Sequence, residues 1–199
     1  MAQAADLPYD HTYGRVRFTR DQCDAMQEFG ILKGRYELID GEIISKMGQN
    51  PRYGVVCVFL YAWLASVFGA LFVRIQSSID IGDADALYNQ PEPDAVVTIE
   101  TATAYSNRLP GPADLSLVCE VSDSTARFDR TAKSVLYARA GISEYWIVDI
   151  SRRQVVLHRS PTEAGYATSV VCEEEEWVST LARPDASIRV ADLLPPAEA

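Results

Sequence analysis

The chain has 199 residues, of which 48% are hydrophobic and 23% are charged. This composition is typical of one globular domain with a well-buried core, so we expect residues 1–199 to form a single domain. Lys and Arg total 18 against 28 Asp and Glu, a net charge of −10, which excludes coating of nucleic acid through bulk positive charge but leaves a locally basic groove open.

Cysteine spacing and the N-terminal residues bear on the cellular compartment. The four cysteines form no CxxC pair, so we expect free thiols rather than a zinc knuckle or a disulfide framework. Residues 1–11 lack a basic start followed by an apolar run, so no export signal is expected. The cytoplasm is the expected location.

The first elements carry local signals. Thr19 followed by Gln22 has the spacing of a capping box and predicts a helix from Thr19 to about Phe29. The segment YELIDGEII contains two β-type runs around Asp40-Gly41, which predicts a hairpin over 36–45.

The segment 55–73 contains no charge and is long enough to be considered for a membrane span. Ser66 and Gly69 interrupt it, and Gly69 fits a helix end. We therefore favour a buried helix from Pro51 to about Phe68, followed by a buried strand over 71–81.

The remaining pattern alternates strands with one helix. Strands are predicted over 95–99, 115–121, 144–149, 154–159 and 166–172, an amphipathic helix over 126–141, and a tail after Pro184. Interleaved helices and strands predict an α/β or α+β fold in which helices pack on a central mixed sheet.

Two carboxylates are candidates for chemistry. Asp94 stands before a strand in PEPDAVV, and Glu120 lies near the end of the strand in LSLVCEVSDST. Neighbouring carboxylates at strand ends would form an oxygen site suited to Mg²⁺ or Mn²⁺, whereas the alternative is that both face solvent. Lys133, on the polar face of the next helix, could reach them, but by spacing alone it also fits a solvated helix lysine.

The motif order YELIDGEII, PEPDAVV, LVCEVSDST and FDRTAKSVLYARAGISEYWIVD resembles the Uma family of restriction-endonuclease-like proteins, in the PD-(D/E)XK nuclease superfamily. The resemblance spans roughly residues 18–160 and implies a restriction-endonuclease-like core there, followed by a C-terminal strand and tail over 161–199. One departure is Arg52-Tyr53, where the family often has a histidine.

The resemblance also implies site residues. It makes Asp94 and Glu120 metal-binding catalytic acids, and Lys133 the catalytic lysine, since Ser122 stands where the superfamily keeps its lysine. The remaining implied residues are two further metal ligands, Glu42 and the backbone carbonyl of Val121, and three supporting residues, Tyr137, Arg130 and Ser122.

The predicted function is Mg²⁺- or Mn²⁺-dependent hydrolysis of phosphodiester bonds in DNA. DNA binding would then need a local basic cluster, for which the sequence offers Arg127, Arg130, Lys133 and Arg139. Alternatives are an inactive nuclease-fold binding or assembly protein, and a glycosidase that uses the two acids as its pair, which leaves Lys133 without a task. We expect no membrane partner, and a homodimer stays open.

Overall fold

The computed structural model describes residues 16–46, 50–123 and 128–197. The helices are α1 (Arg20–Glu28), α2 (Pro51–Phe68), α3 (Asp83–Ala86) and α4, which joins a π-helical turn (Asp129–Lys133) to an α-helical part (Ser134–Arg139). Short 3₁₀ turns cover Ala70–Phe72, Ala102–Tyr105, Pro112–Asp114 and Val190–Leu193. The strands are β1 (Tyr36–Ile39), β2 (Glu42–Ser45), β3 (Val73–Ile75), β4 (Ala95–Thr98), β5 (Leu115–Ser122), β6 (Glu144–Asp149), β7 (Gln154–Thr162), β8 (Gly165–Glu173), β9 (Trp177–Ser179) and β10 (Ser187–Arg189).

Six of these strands form one mixed sheet in the order β3-β4-β5-β6-β7-β8. Strands β5 and β6 run parallel, and each other neighbouring pair in this sheet runs antiparallel. The hairpins β1-β2 and β9-β10 form two smaller antiparallel sheets. The predicted mixed α/β sheet with packed helices is confirmed.

The central sheet separates two hydrophobic cores. Leu117, Cys119 and Val121 of β5 belong to the core that α2 covers, whereas Val118 belongs to the core that α4 covers. Because side chains alternate along a strand, Glu120 shares the face of Val118. The strand therefore directs one carboxylate into the interior beneath α4.

Helix α2 is less buried than the sequence predicts. It is long and apolar enough to span a membrane by length and composition, with a mean hydropathy of 1.4. However, Val56, Leu60 and Leu64 form one buried stripe against the sheet, as expected for a core helix. Val58 and Phe59 remain 63% and 39% exposed, so the expectation of a buried helix is confirmed for the sheet-facing stripe and wrong for the opposite face.

Two more predictions need correction. The strand expected over 71–81 pairs with β4 only through Val73–Ile75, because Gln76 takes a positive φ of 47° and turns the chain away. The residues expected to form a tail instead include β10 and a 3₁₀ turn whose Val190 and Leu193 are buried in the core on the α2 side.

The local predictions at the N-terminal end are confirmed. The Thr19 and Gln22 side chains accept hydrogen bonds from each other's backbone N–H groups, which is the capping box. The β1-β2 hairpin turns at Asp40 and Gly41, with φ of 51° and 78°, the left-handed conformation that this dipeptide tolerates. The cysteines are free, as predicted.

Candidate active site

The two candidate acids lie side by side at one end of the sheet. Ala95 of β4 pairs with Cys119 of β5, so the next position along this antiparallel register sets Asp94 opposite Glu120. Asp94 Oδ2 accepts a hydrogen bond of 2.7 Å from the Val121 N–H. Asp94 and Glu120 are only 5% and 2% exposed, so neither is the solvated carboxylate that spacing alone allowed.

Lys133 reaches these acids from α4. Its ammonium nitrogen lies 2.8 Å from Glu120 Oε1, 2.9 Å from Glu37 Oε2 and 3.7 Å from Asp129 Oδ1. The side chain is 2% exposed, so the polar face predicted for this helix is packed over the acids. Burial by itself lowers the pKa of the Lys133 ammonium, but the three carboxylates outweigh it and hold that pKa above its ordinary value.

The N-terminal turn of α4 is π-helical, a geometry that is frequent at functional sites. This turn contains both Asp129 and Lys133, and both are buried. The hydroxyl of Ser122 hydrogen-bonds to Asp129 Oδ2. Ser122 therefore connects to Lys133 through Asp129.

Tyr137 joins the site one helical turn after Lys133. Its hydroxyl donates to Glu120 Oε1 at 3.0 Å. Within the described parts of the chain, both hydrogen bonds to Glu120 end at Oε1, which leaves Oε2 to bind another group. Arg130, by contrast, donates to Asp149 Oδ2 at 2.8 Å, so its guanidinium is engaged with a carboxylate outside the acid pair.

Glu37, Lys46 and Tyr53 complete the site, and sequence reasoning missed all three as site residues. Glu37 of β1 is 3% exposed and contacts Lys133. Lys46, just after β2, places its ammonium nitrogen 3.9 Å from both Glu37 Oε2 and Asp94 Oδ1. The Tyr53 hydroxyl, in the first turn of α2, donates to Asp94 Oδ1.

Tyr53 occupies the position where the family often has histidine. The sequence therefore drew attention to this position, but it did not predict the hydrogen bond to Asp94. Glu37 had no such signal, because its neighbour Leu38 suggests an ordinary half-buried strand with Glu37 facing solvent. Glu42, the acid that the resemblance selects from this hairpin, is exposed at the start of β2. The hairpin acid that the fold buries at the site is thus Glu37.

Among the described residues of the site, acidic side chains outnumber lysines. Four buried carboxylates (Glu37, Asp94, Glu120 and Asp129) face two ammonium groups (Lys46 and Lys133). Burial and then the charge of Glu120 raise the pKa of Asp94 to about 7. Burial and the charge of Asp94 also raise the pKa of Tyr53, which keeps this phenol protonated and donating.

The basic cluster expected along α4 is not available as a patch. Arg139 pairs with Asp85 at 2.6 Å, Arg130 pairs with Asp149, and Lys133 is buried. Arg127 lies outside the described residues. Each described member is engaged by an acidic side chain, so the cluster stays a prediction that requires these pairs to open.

The donor set can be tested against a divalent cation. Glu120 Oε2 and the Asp94 carboxylate are hard oxygen donors, which Mg²⁺ and Mn²⁺ prefer. Across residues 16–46, 50–123 and 128–197, no group of three or more His, Cys, Asp or Glu side chains has metal-binding geometry. These residues therefore fit a cation site with two carboxylate ligands, in which backbone oxygen and water would fill the remaining coordination positions.

Comparison with known proteins agrees with this architecture. The fold is similar to the crystal structure of a protein described as a putative nuclease belonging to DUF820 from Anabaena variabilis, with a TM-score of 0.63 and 17% sequence identity over 84% of this chain and 96% of that chain. No curated protein matches the chain. The model of the Uma2 family, described as "Putative restriction endonuclease", matches residues 26–191. Since this match covers most of the sequence, the chain belongs to the Uma2 family of restriction-endonuclease-like proteins.

Proposed function

We propose that this protein is a bacterial, cytoplasmic endonuclease that uses Mg²⁺ or Mn²⁺ to hydrolyse phosphodiester bonds in DNA. The observation that carries the proposal is the convergence of Asp94 and Glu120 from neighbouring strands, with the Lys133 ammonium 2.8 Å from Glu120. Membership of a restriction-endonuclease-like family supports a nucleic-acid substrate. The same geometry gives Lys133 a task, which a glycosidase using these acids does not.

In this proposal Asp94 and Glu120 hold the cation. Because the N–H and C=O of a strand residue point toward the same neighbouring strand, and the Val121 N–H meets Asp94, the Val121 carbonyl is a fitting third ligand. Glu37, buried beside Lys133, is the hairpin acid that acts on the cation from outside its ligands, in place of the Glu42 ligand that the resemblance implies. A divalent cation bound between Asp94 and Glu120 would offset burial and the charge of Glu120, the two causes that raise the pKa of Asp94.

A bound divalent cation lowers the pKa of a water molecule and neutralises charge that develops on phosphorus. The protein's own residues prepare this site. Lys133 and Tyr137 both donate to Glu120 Oε1 and fix its carboxylate. Tyr53 and the Val121 N–H do the same for Asp94, and such prior fixation of ligands is what keeps a metal site in its working geometry.

Cleavage of single-stranded, double-stranded and branched DNA with Mg²⁺ and Mn²⁺ tests the proposal. Asp94→Ala and Glu120→Gln should abolish cleavage and the metal-induced rise in Tm, because both remove a ligand. Glu163→Gln, which removes an exposed carboxylate from the β7-β8 turn, is the matched control and should match wild type.

The possible outcomes separate the alternatives. Metal binding that depends on Asp94 and Glu120 without cleavage of any DNA would favour a binding or assembly protein that keeps the nuclease fold. No metal effect on Tm and no cleavage would refute the metal-dependent endonuclease altogether.

A further inference from the structure

The ammonium group of Lys133 is buried among carboxylates, out of reach of a substrate. Such a group offers three N–H donors: Glu120 at 2.8 Å and Glu37 at 2.9 Å take two of them, and Asp129, at 3.7 Å, lies beyond hydrogen-bonding distance. With 2% of the side chain exposed, a phosphate group could contact it only after one of these pairs opened. Lys133 is thus built to hold acids, and another cation must face the substrate.

Lys46, unlike Lys133, is partly exposed and has N–H donors available for a ligand. Its ammonium group donates to the backbone carbonyl of Glu92 at 2.7 Å, which anchors the side chain. The carboxylates of Glu37 and Asp94, at 3.9 Å, are beyond hydrogen-bonding distance. Within the described residues, two of its three donors therefore remain available, and 19% of the side chain is exposed.

The surroundings of Lys46 favour an anionic ligand over a purely structural role. Arg35, the neighbouring guanidinium, is already committed to Glu92 and Gln76. Lys46 is anchored by a neutral carbonyl and its two carboxylate neighbours lie 3.9 Å away, so within the described residues two of its N–H donors are left for an anion. An ammonium group in this position suits a phosphate oxygen as a point charge with rotatable donors.

We propose that Lys46 contacts the phosphate group of the substrate, while Lys133 is a positioning residue that fixes Glu120 and Glu37. The proposal deepens the proposed nuclease function and rests on it. It predicts that Lys46 contributes to binding of a phosphodiester even when no bond is cleaved.

Equilibrium binding of short fluorescent single- and double-stranded DNA, measured by anisotropy in Ca²⁺ and in EDTA across a salt series, tests this. Lys46→Met should raise Kd roughly tenfold, as loss of a charge-assisted hydrogen bond does. It should also reduce the slope of log Kd against log salt by about 0.9 for duplex DNA, the value for one phosphate contact. Lys46→Arg should retain most of the wild-type DNA affinity and most of the wild-type salt slope.

Two controls separate charge and folding from contact. Lys33→Met removes an equally positive but exposed side chain ahead of β1 and should change neither Kd nor the slope by as much. Lys133→Met should lower stability while leaving the salt slope at its wild-type value. Lys46→Gln serves as a second variant if Lys46→Met does not fold.

Each result decides the point. If Lys46→Met binds DNA as Lys33→Met does, the contact is refuted, and the nuclease function is still judged by cleavage. If binding depends on Lys46 but no DNA is cleaved with any metal, the phosphate contact stands and the nuclease function fails. If wild type binds no DNA under any condition, the Lys46 proposal is overturned.

Discussion

Replacing Asp94 by asparagine should stabilise the metal-free protein at neutral and alkaline pH. The structure raises the pKa of this carboxyl from 3.8 to about 7, because the group is buried and faces Glu120. In the unfolded chain the carboxyl ionises near pH 4. Between these values the folded state binds the extra proton, so the free energy of unfolding falls as the pH rises.

The magnitude follows from the shift. About three pKa units correspond to about 4 kcal/mol, all of it acting against the folded state above pH 7. The amide introduced by Asp94→Asn is neutral at every pH, so this variant escapes the cost. The stability of wild type relative to the variant should therefore fall by about 1.4 kcal/mol per pH unit between pH 5 and 7 and then level off.

Urea denaturation followed by tryptophan fluorescence, in EDTA from pH 5 to 8.5, measures this difference. Added Mg²⁺ should stabilise wild type most at high pH, where Asp94 is ionised, and should leave the Asp94→Asn variant nearly unchanged. Glu163→Gln is the control: it shows how the loss of an exposed carboxylate changes the free energy of unfolding across this pH range. Parallel curves for wild type and Asp94→Asn in EDTA would refute the reasoning, since Asp94 could not then carry an unbalanced buried charge.

Two further predictions concern the partners of this acid. Lys133→Met should lower the free energy of unfolding by roughly 3–5 kcal/mol in urea denaturation, because it leaves buried carboxylates without their ammonium partner. Arg139→Met, which breaks a half-exposed pair on the same helix, should lower it by less than about 1 kcal/mol. Equal losses would contradict the buried network. Glu37→Gln should reduce the Mg²⁺-induced rise in Tm while Glu42→Gln leaves it unchanged, and the reverse order would restore the acid that the family resemblance selects.

The sequence was informative where chemistry is local. A capping box, an Asp-Gly turn and runs of β-branched residues specify their elements through contacts within a few residues, and these predictions hold. Asp94 and Glu120 stood out for the same reason, since a carboxylate at the end of an apolar strand is unusual. Their proximity follows from strand pairing, which the register of β4 with β5 provides.

What the sequence could not supply depends on tertiary contacts. The burial of Glu37 comes from the position of the β1-β2 hairpin against α4, and nothing in YELI distinguishes it from a solvent-facing strand residue. Lys46 follows a hairpin with no motif around it. The shortened β3 and the packed C-terminal segment have the same origin, because partners distant in sequence decide where each one pairs.

The charges of the site link its stability to its chemistry. A folded protein tolerates buried carboxylates when cations or hydrogen bonds compensate them. Here Lys133 compensates Glu120 and Glu37, whereas among the described residues Asp94 receives neutral donors and has the Lys46 ammonium 3.9 Å away. Asp94 is therefore the least compensated of these acids, and it lies next to Glu120 Oε2, which accepts no hydrogen bond from the described residues. A divalent cation bound there would stabilise the ionised form of Asp94, which burial and Glu120 disfavour in the metal-free protein. The buried acid pair thus lowers the stability of the metal-free fold and, for the same reason, favours cation binding.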